Sequence, residues 1–204
     1  MKKPKIRELK EALKVLFVEG PYTAKFPAEI PTFDRYRGKP EYDEKRCIGC
    51  GACAEVCPAG AIDVVDDLES KKRTLIVHTD KCIFCGQCHA YCTTKDGINQ
   101  THEYDLATLH REEAIETVEK DLVLCEVCGK VIGTDEHLCW IADRLGAFAY
   151  TNPTLFLTSL KRLGMIDFGG ARPKDMPSTR ADLFRVLCPQ CRRDQILREE
   201  WQST

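Results

Sequence analysis

Cys47, Cys50, Cys53 and Cys57 stand in the pattern C-x2-C-x2-C-x3-C, followed at once by Pro58. Cys82, Cys85, Cys88 and Cys92 repeat that spacing 35 residues later. Each run supplies four thiolates at the spacing that suits a cubane iron–sulfur cluster. One run alone is compatible with chance or with zinc; two in register point to two [4Fe-4S] clusters. In this pattern three cysteines wrap one cubane from a tight loop, while the fourth lies beyond a helical turn and reaches the other. The expected ligand sets are therefore Cys47, Cys50, Cys53 and Cys92 for the first cluster, and Cys82, Cys85, Cys88 and Cys57 for the second. Gly49, Gly51 and Gly86 let backbone N–H groups approach the sulfurs. Pro58 fixes the chain direction after Cys57. Thr93 replaces it in the second run, a change expected to touch a turn and no ligand.

Four further cysteines form two C-x2-C knuckles, Cys125/Cys128 and Cys188/Cys191. Four thiolates in paired knuckles suit a tetrahedral Zn2+ site, and Gly129 fits the tight turn after the first pair. A third iron–sulfur cluster is the rival, disfavoured because the x2-x2 triplet is absent; four unbound thiols are the bland alternative. Cys139, inside the apolar run 138–141, reads as a core residue, and its neighbour His137 as a poor ligand. His78, His89, His102 and His110 lack ligand spacing and read as surface groups or as neighbours of ligands. No nucleophile–base pairing and no phosphate-binding glycine loop is present.

The elements that would carry these cysteines can be traced along the 204 residues. Residues 4–18 read as an amphipathic helix, with Ile6, Leu9, Leu13, Leu16 and Phe17 on one face and charges on the other. Its apolar face would pack on the chain's own core or dock on a partner subunit or membrane surface. Residues 21–46 hold four prolines and five aromatics, an extended strap rather than a free linker. Within 47–107, residues 62–66 and 74–78 are expected to form a hairpin between the two cysteine runs. Residues 108–120 read as a charged amphipathic helix. Helices are also expected at 134–147 and 151–163, with Thr134 and Thr151 as N-caps and Pro153 in a first turn. The expected division is 1–46 (helix and arm), 47–107 (two-cluster domain) and 108–204 (helical, zinc-ribbon-like extension), an α+β chain.

The thirteen cysteines, mostly in ligand groups, read as those of a reducing compartment rather than a disulfide framework. No secretory signal and no apolar run long enough to span a bilayer is apparent. A formal net charge of −2 argues against general nucleic-acid binding.

Beyond the cysteines, the runs 26–31 (FPAEIP), 36–38 (YRG), 46–50 (RCIGC), 80–88 (DKCIFCGQC) and 103–107 (EYDLA) resemble the eight-iron ferredoxin subunit shared by complex I (its I-chain) and membrane-bound hydrogenases. The resemblance covers somewhat under half the chain. It implies a bacterial-type two-cluster ferredoxin core that passes single electrons along a chain of clusters. It also implies partners among peripheral-arm subunits, a cluster-bearing small subunit and a large catalytic subunit, at the cytoplasmic side of the cell membrane. Membrane contact would be indirect or through the N-terminal helix. The knuckle-bearing tail resembles the iron–sulfur subunits of formate hydrogenlyase and related membrane-bound oxidoreductases, which favours the hydrogenase or ferredoxin-oxidising branch. The expected role is thus a non-catalytic electron-transfer subunit. The alternatives are a free soluble two-cluster carrier with a structural zinc domain, and a zinc-ribbon nucleic-acid binder, which no basic patch supports.

Overall fold

A computed structural model describes residues 6–19, 33–167 and 184–201. Most of the proline strap lies outside the described residues. The chain forms two compact units, Met1–Tyr36 and Arg37–Thr204. In the first, helix α1 (Ile6–Lys14) runs into a π-helical turn, Val15–Glu19. Ile6, Leu9, Leu13, Leu16 and Phe17 are all exposed.

The second unit opens with β1 (Pro40–Tyr42), which pairs antiparallel with β4 (Ile98–Gln100). Between them lie the one-turn helices α2 (Ala52–Glu55) and α3 (Gln87–Ala90), one per cysteine run. The expected hairpin is present as β2 (Ile62–Asp67) and β3 (Lys72–His78). The helix expected at 108–120 is not. A 3-10 turn, Arg111–Ala114, leads into β5 (Ile115–Leu124), which pairs with β3 in the register Leu75↔Val118 and Val77↔Glu116. The reason is a two-residue period: Val118, Lys120 and Leu122 are buried while Thr117, Glu119 and Asp121 are exposed. A lysine at an inward position disguised that alternation.

β5 then pairs with β6 (Val131–Thr134), giving an antiparallel sheet of order β2-β3-β5-β6. The sheet is continuous across the 107/108 junction. α4 (Asp135–Leu145) follows β6 directly; the Thr134 hydroxyl accepts the His137 N–H and caps it. The next cap is Asn152 rather than Thr151: Asn152 accepts the Thr154 N–H at 3.0 Å and Pro153 opens α5 (Pro153–Arg162). The Thr151 hydroxyl instead donates to the Phe148 carbonyl, closing the preceding 3-10 turn. α6 (Pro189–Trp201) begins one residue after Cys188.

Among the described residues, three apolar clusters hold this unit. Tyr42, Ile62, Leu75, Val77, Ile98 and Val118 pack with Cys53 and Cys88. Val123, Leu138, Ala142, Leu155 and Val186 form a second. Cys125, Leu187 and Cys188 form a third. Full burial of side chains such as Leu75 and Val77 contributes about 1.5–3 kcal/mol each.

Candidate iron–sulfur and metal sites

The cysteine loops are shaped by left-handed glycines. Gly51 (φ 80°) and Gly86 (φ 77°) precede α2 and α3 and turn the chain so that each helical turn follows the second cysteine of its run. A single cavity is lined by Cys47, Cys50, Cys53 and Cys92 together with Tyr42, Thr93, Thr94, Gly97 and Ile98. Cys57 is not among its lining residues. Gly97 closes against this group: a Cβ there would lie 3.2 Å from Cys92 Sγ and 3.1 Å from Cys47 Cα.

Polar groups converge on these sulfurs. The Thr93 hydroxyl stands 3.2 Å from Cys50 Sγ, the Thr94 hydroxyl 3.4 Å from Cys92 Sγ, and the Tyr42 hydroxyl 3.7 Å from Cys53 Sγ. Toward a thiolate each can only donate. Burial pushes the Cys47 thiol up to about 11, against the Gly49 backbone bond and the Lys120 charge. Burial also pushes Cys53 up to about 11, opposed by the Tyr42 hydroxyl. Burial raises Cys92 as well, but bonds from Thr94, Gly97 and Ile98 outweigh it and hold Cys92 below an ordinary thiol.

The other four cysteines of the two runs are Cys57, Cys82, Cys85 and Cys88. Burial pushes Cys88 up to about 11, with Cys82, Cys85 and Cys57 adding their repulsion. Burial raises Cys82 too, and Cys57 and Cys85 act on it. Ala61 N–H donates to Cys57 Sγ and Phe84 N–H to Cys82 Sγ, both at 3.3 Å, and Gln100 Nε2 lies 3.6 Å from Cys88 Sγ. O–H donors face Cys50, Cys53 and Cys92 and N–H donors face Cys57, Cys82 and Cys88, donor chemistry that suits cubane clusters.

In the tail, β5 delivers Cys125 and the turn before β6 delivers Cys128. Cys125 N–H donates to the Lys130 carbonyl and Gly129 N–H to the Cys125 carbonyl, with Gly129 at φ 71°. Cys188 directly precedes α6 and Cys191 lies in its first turn, a junction held by Glu126 N–H to the Val186 carbonyl and by an Arg185–Glu126 ion pair at 2.6 Å. The Sγ atoms of Cys125, Cys128, Cys188 and Cys191 all lie within 4.8 Å of one another, Cys128 and Cys188 at 3.7 Å. Tetrahedral Zn–S bonds of about 2.3 Å set sulfurs roughly 3.8 Å apart. Burial raises Cys125, but N–H donors from Cys128, Cys188 and Val127 outweigh it and bring this thiol down to about 7.

Cys139 is buried in α4 and Leu138 beside it joins the second apolar cluster, a core position. His78 pairs with Asp63 at 2.9 Å and His89 Nδ1 with the Ile98 carbonyl at 2.9 Å. Sequence reasoning missed Thr93, Thr94, Tyr42 and Gln100 as neighbours of these cysteine sulfurs. The one available signal was Thr93, standing where the first run has Pro58.

Comparison with known proteins bears on the iron–sulfur chemistry of the first two cysteine runs. A 4Fe-4S dicluster domain matches residues 46–96. NADH-quinone oxidoreductase subunit I 2 of Geobacter metallireducens is 36% identical over 121 residues, 55% of this chain and 91% of that protein. Formate hydrogenlyase subunit 6 of Escherichia coli is 28% identical over 189 residues, 91% of this chain and 89% of that protein. This chain spans about half the length of other curated relatives it matches, 47% in the case of the NAD(P)H-quinone oxidoreductase subunit I of Gloeobacter violaceus. Among solved structures, a chain of the membrane-bound sulfane sulfur reductase, an archaeal respiratory membrane complex, is 36% identical across 56% of this chain and 61% of that one, with a TM-score of 0.39.

Proposed function

The chain belongs to the NADH-quinone oxidoreductase subunit I family, and from that premise we propose that it is an electron-transfer subunit of a membrane-bound, complex I-related oxidoreductase. The observation that carries this reading is the pair of cysteine quartets within a 4Fe-4S dicluster domain. When bound, a cubane supplies reversible one-electron storage. Cys47, Cys50, Cys53 and Cys92 would hold one cluster, and Cys82, Cys85, Cys88 and Cys57 the other. Because each run contributes its last cysteine to the other quartet, the two sites adjoin in one apolar core containing Cys53 and Cys88. That proximity suits electron passage from one partner subunit to the next.

Cys125, Cys128, Cys188 and Cys191 would hold Zn2+ and tie α6 to the β5–β6 knuckle. Their sulfur separations support a single ion, since a four-iron cube spreads its ligand sulfurs farther apart. The 28% identity that runs along 91% of this chain into formate hydrogenlyase subunit 6 favours the hydrogenase or ferredoxin-oxidising branch. The exposed Ile6, Leu9, Leu13, Leu16 and Phe17 of the N-terminal unit would dock on a neighbouring subunit, with the assembly peripheral on the cytoplasmic side of the membrane. Among the described residues no helix is long and apolar enough to cross a membrane. Affinity purification of the tagged chain from native membranes is expected to bring down a cluster-bearing small subunit and a large catalytic subunit in stoichiometric amounts. Recovery of a well-behaved monomer without partners would favour a free electron carrier instead.

A further inference from the structure

Lys120 is the one charged side chain among the described buried residues, with 5% of its side chain exposed. It occupies an inward position of β5 between Val118 and Leu122, where an apolar residue would satisfy the sheet without desolvating a charge. Its Nζ donates to the Glu44 carbonyl at 2.5 Å and to Glu136 Oε1 at 3.0 Å. The Glu136 side chain is 48% exposed, so water screens the carboxylate far more than the ammonium.

The stem of Lys120 lies on the first cysteine loop. Gly49, at φ 65° between Cys47 and Cys50, has no room for a side chain: a Cβ there would meet Lys120 Cβ and Cγ at 3.0 Å and Thr134 Cγ2 at 2.8 Å. Thr134 also donates to the Ile48 carbonyl at 2.5 Å. A second cation, Arg73, reaches the Gly49 carbonyl at 3.1 Å, but its fork is matched by both Asp66 oxygens at 2.6 and 2.8 Å. At the other quartet the corresponding cation is Arg37, whose Nη1 donates to the Cys85 carbonyl at 2.7 Å from an exposed position. Among the described residues, the first site therefore has a buried cation whose stem packs on its loop, and the second has only the exposed Arg37.

We propose that Lys120 is a positioning residue for the cluster held by Cys47, Cys50, Cys53 and Cys92, raising its reduction potential relative to the cluster held by the other quartet. Reduction adds one negative charge to the cluster. A buried ammonium stabilises the reduced form more than the oxidised one, and solvent cannot relax that preference away. The electron shared by the pair then rests on the first cluster, and the extension from β5 onward sets that bias. The inference rests on the two-cluster reading above.

The test is a mediated redox titration of the full chain followed by EPR, with the first-cluster signal identified as the one lost in Cys50→Ser. Lys120→Met is expected to cut the reduced-to-oxidised ratio of that signal about tenfold at the wild-type midpoint, a fall of about 59 mV for a one-electron couple. Glu136→Gln should shift the same midpoint upward, Lys120→Arg should hold it near wild type, and none should move the second cluster. Should Lys120→Met fail to fold, the other two variants still decide. An unmoved first-cluster midpoint in Lys120→Met or in Glu136→Gln, or shifts of equal sign in the two, overturns the inference. About four iron atoms per wild-type chain would instead overturn the two-cluster reading on which it stands.

Discussion

Thr93 shows how much of the site is set by single atoms. It stands where the first run has Pro58, and its hydroxyl lies 3.2 Å from Cys50 Sγ, a sulfur from the other run. The second run thus adds Cys92 and the hydroxyls of Thr93 and Thr94 to the cavity lined by Cys47, Cys50 and Cys53. The expected ligands follow from spacing, three cysteines at x2 intervals and a fourth beyond a helical turn. The donors do not, because they depend on how the two halves of the repeat face each other. Cys92→Ser is expected to perturb the cluster of Cys47, Cys50 and Cys53 while leaving the cluster of Cys82, Cys85 and Cys88 intact, as read by EPR of the reduced protein. Loss confined to the latter cluster would refute the crossed ligation.

At the scale of elements, β5 is the one that joins the two kinds of site. Its first residues pair with β3 of the cluster hairpin and its last lead into Cys125. The sequence pattern of the hairpin was plain, with β-branched residues either side of a polar turn. β5 was not, because Lys120 fills an inward place and only the tertiary bonds to Glu44 and Glu136 make that tolerable. The caps of α4 and α5 were legible to within a residue, Thr134 as expected and Asn152 in place of Thr151. The knuckles are local hydrogen-bonded turns, so removing one thiolate should act locally. Cys128→Ser, at an exposed sulfur, is expected to lower zinc from about one atom per chain toward none while iron stays near eight, checked by elemental analysis of the purified variant. A parallel loss of iron would mean that the tail cysteines hold part of an iron–sulfur cluster.

Across the whole molecule, a ferredoxin-like repeat, a sheet that runs on into a helical tail, and an N-terminal helix with an exposed apolar face form one polypeptide. The charge and hydrogen-bond environments of the two quartets differ, which under the inference drawn for Lys120 would make the pair a directional step rather than two equal stores. Fixing such a step inside an assembly makes use of exposed apolar surface that a free carrier would leave uncovered. Two cubane clusters and one zinc are the metal inventory expected of this chain. Anaerobic analysis of the purified chain for iron, acid-labile sulfide and zinc tests it most directly. The ligand sets predict about eight iron, eight sulfide and one zinc per chain. About four iron would contradict the paired quartets, and about twelve iron without zinc would give Cys125, Cys128, Cys188 and Cys191 to a third cluster.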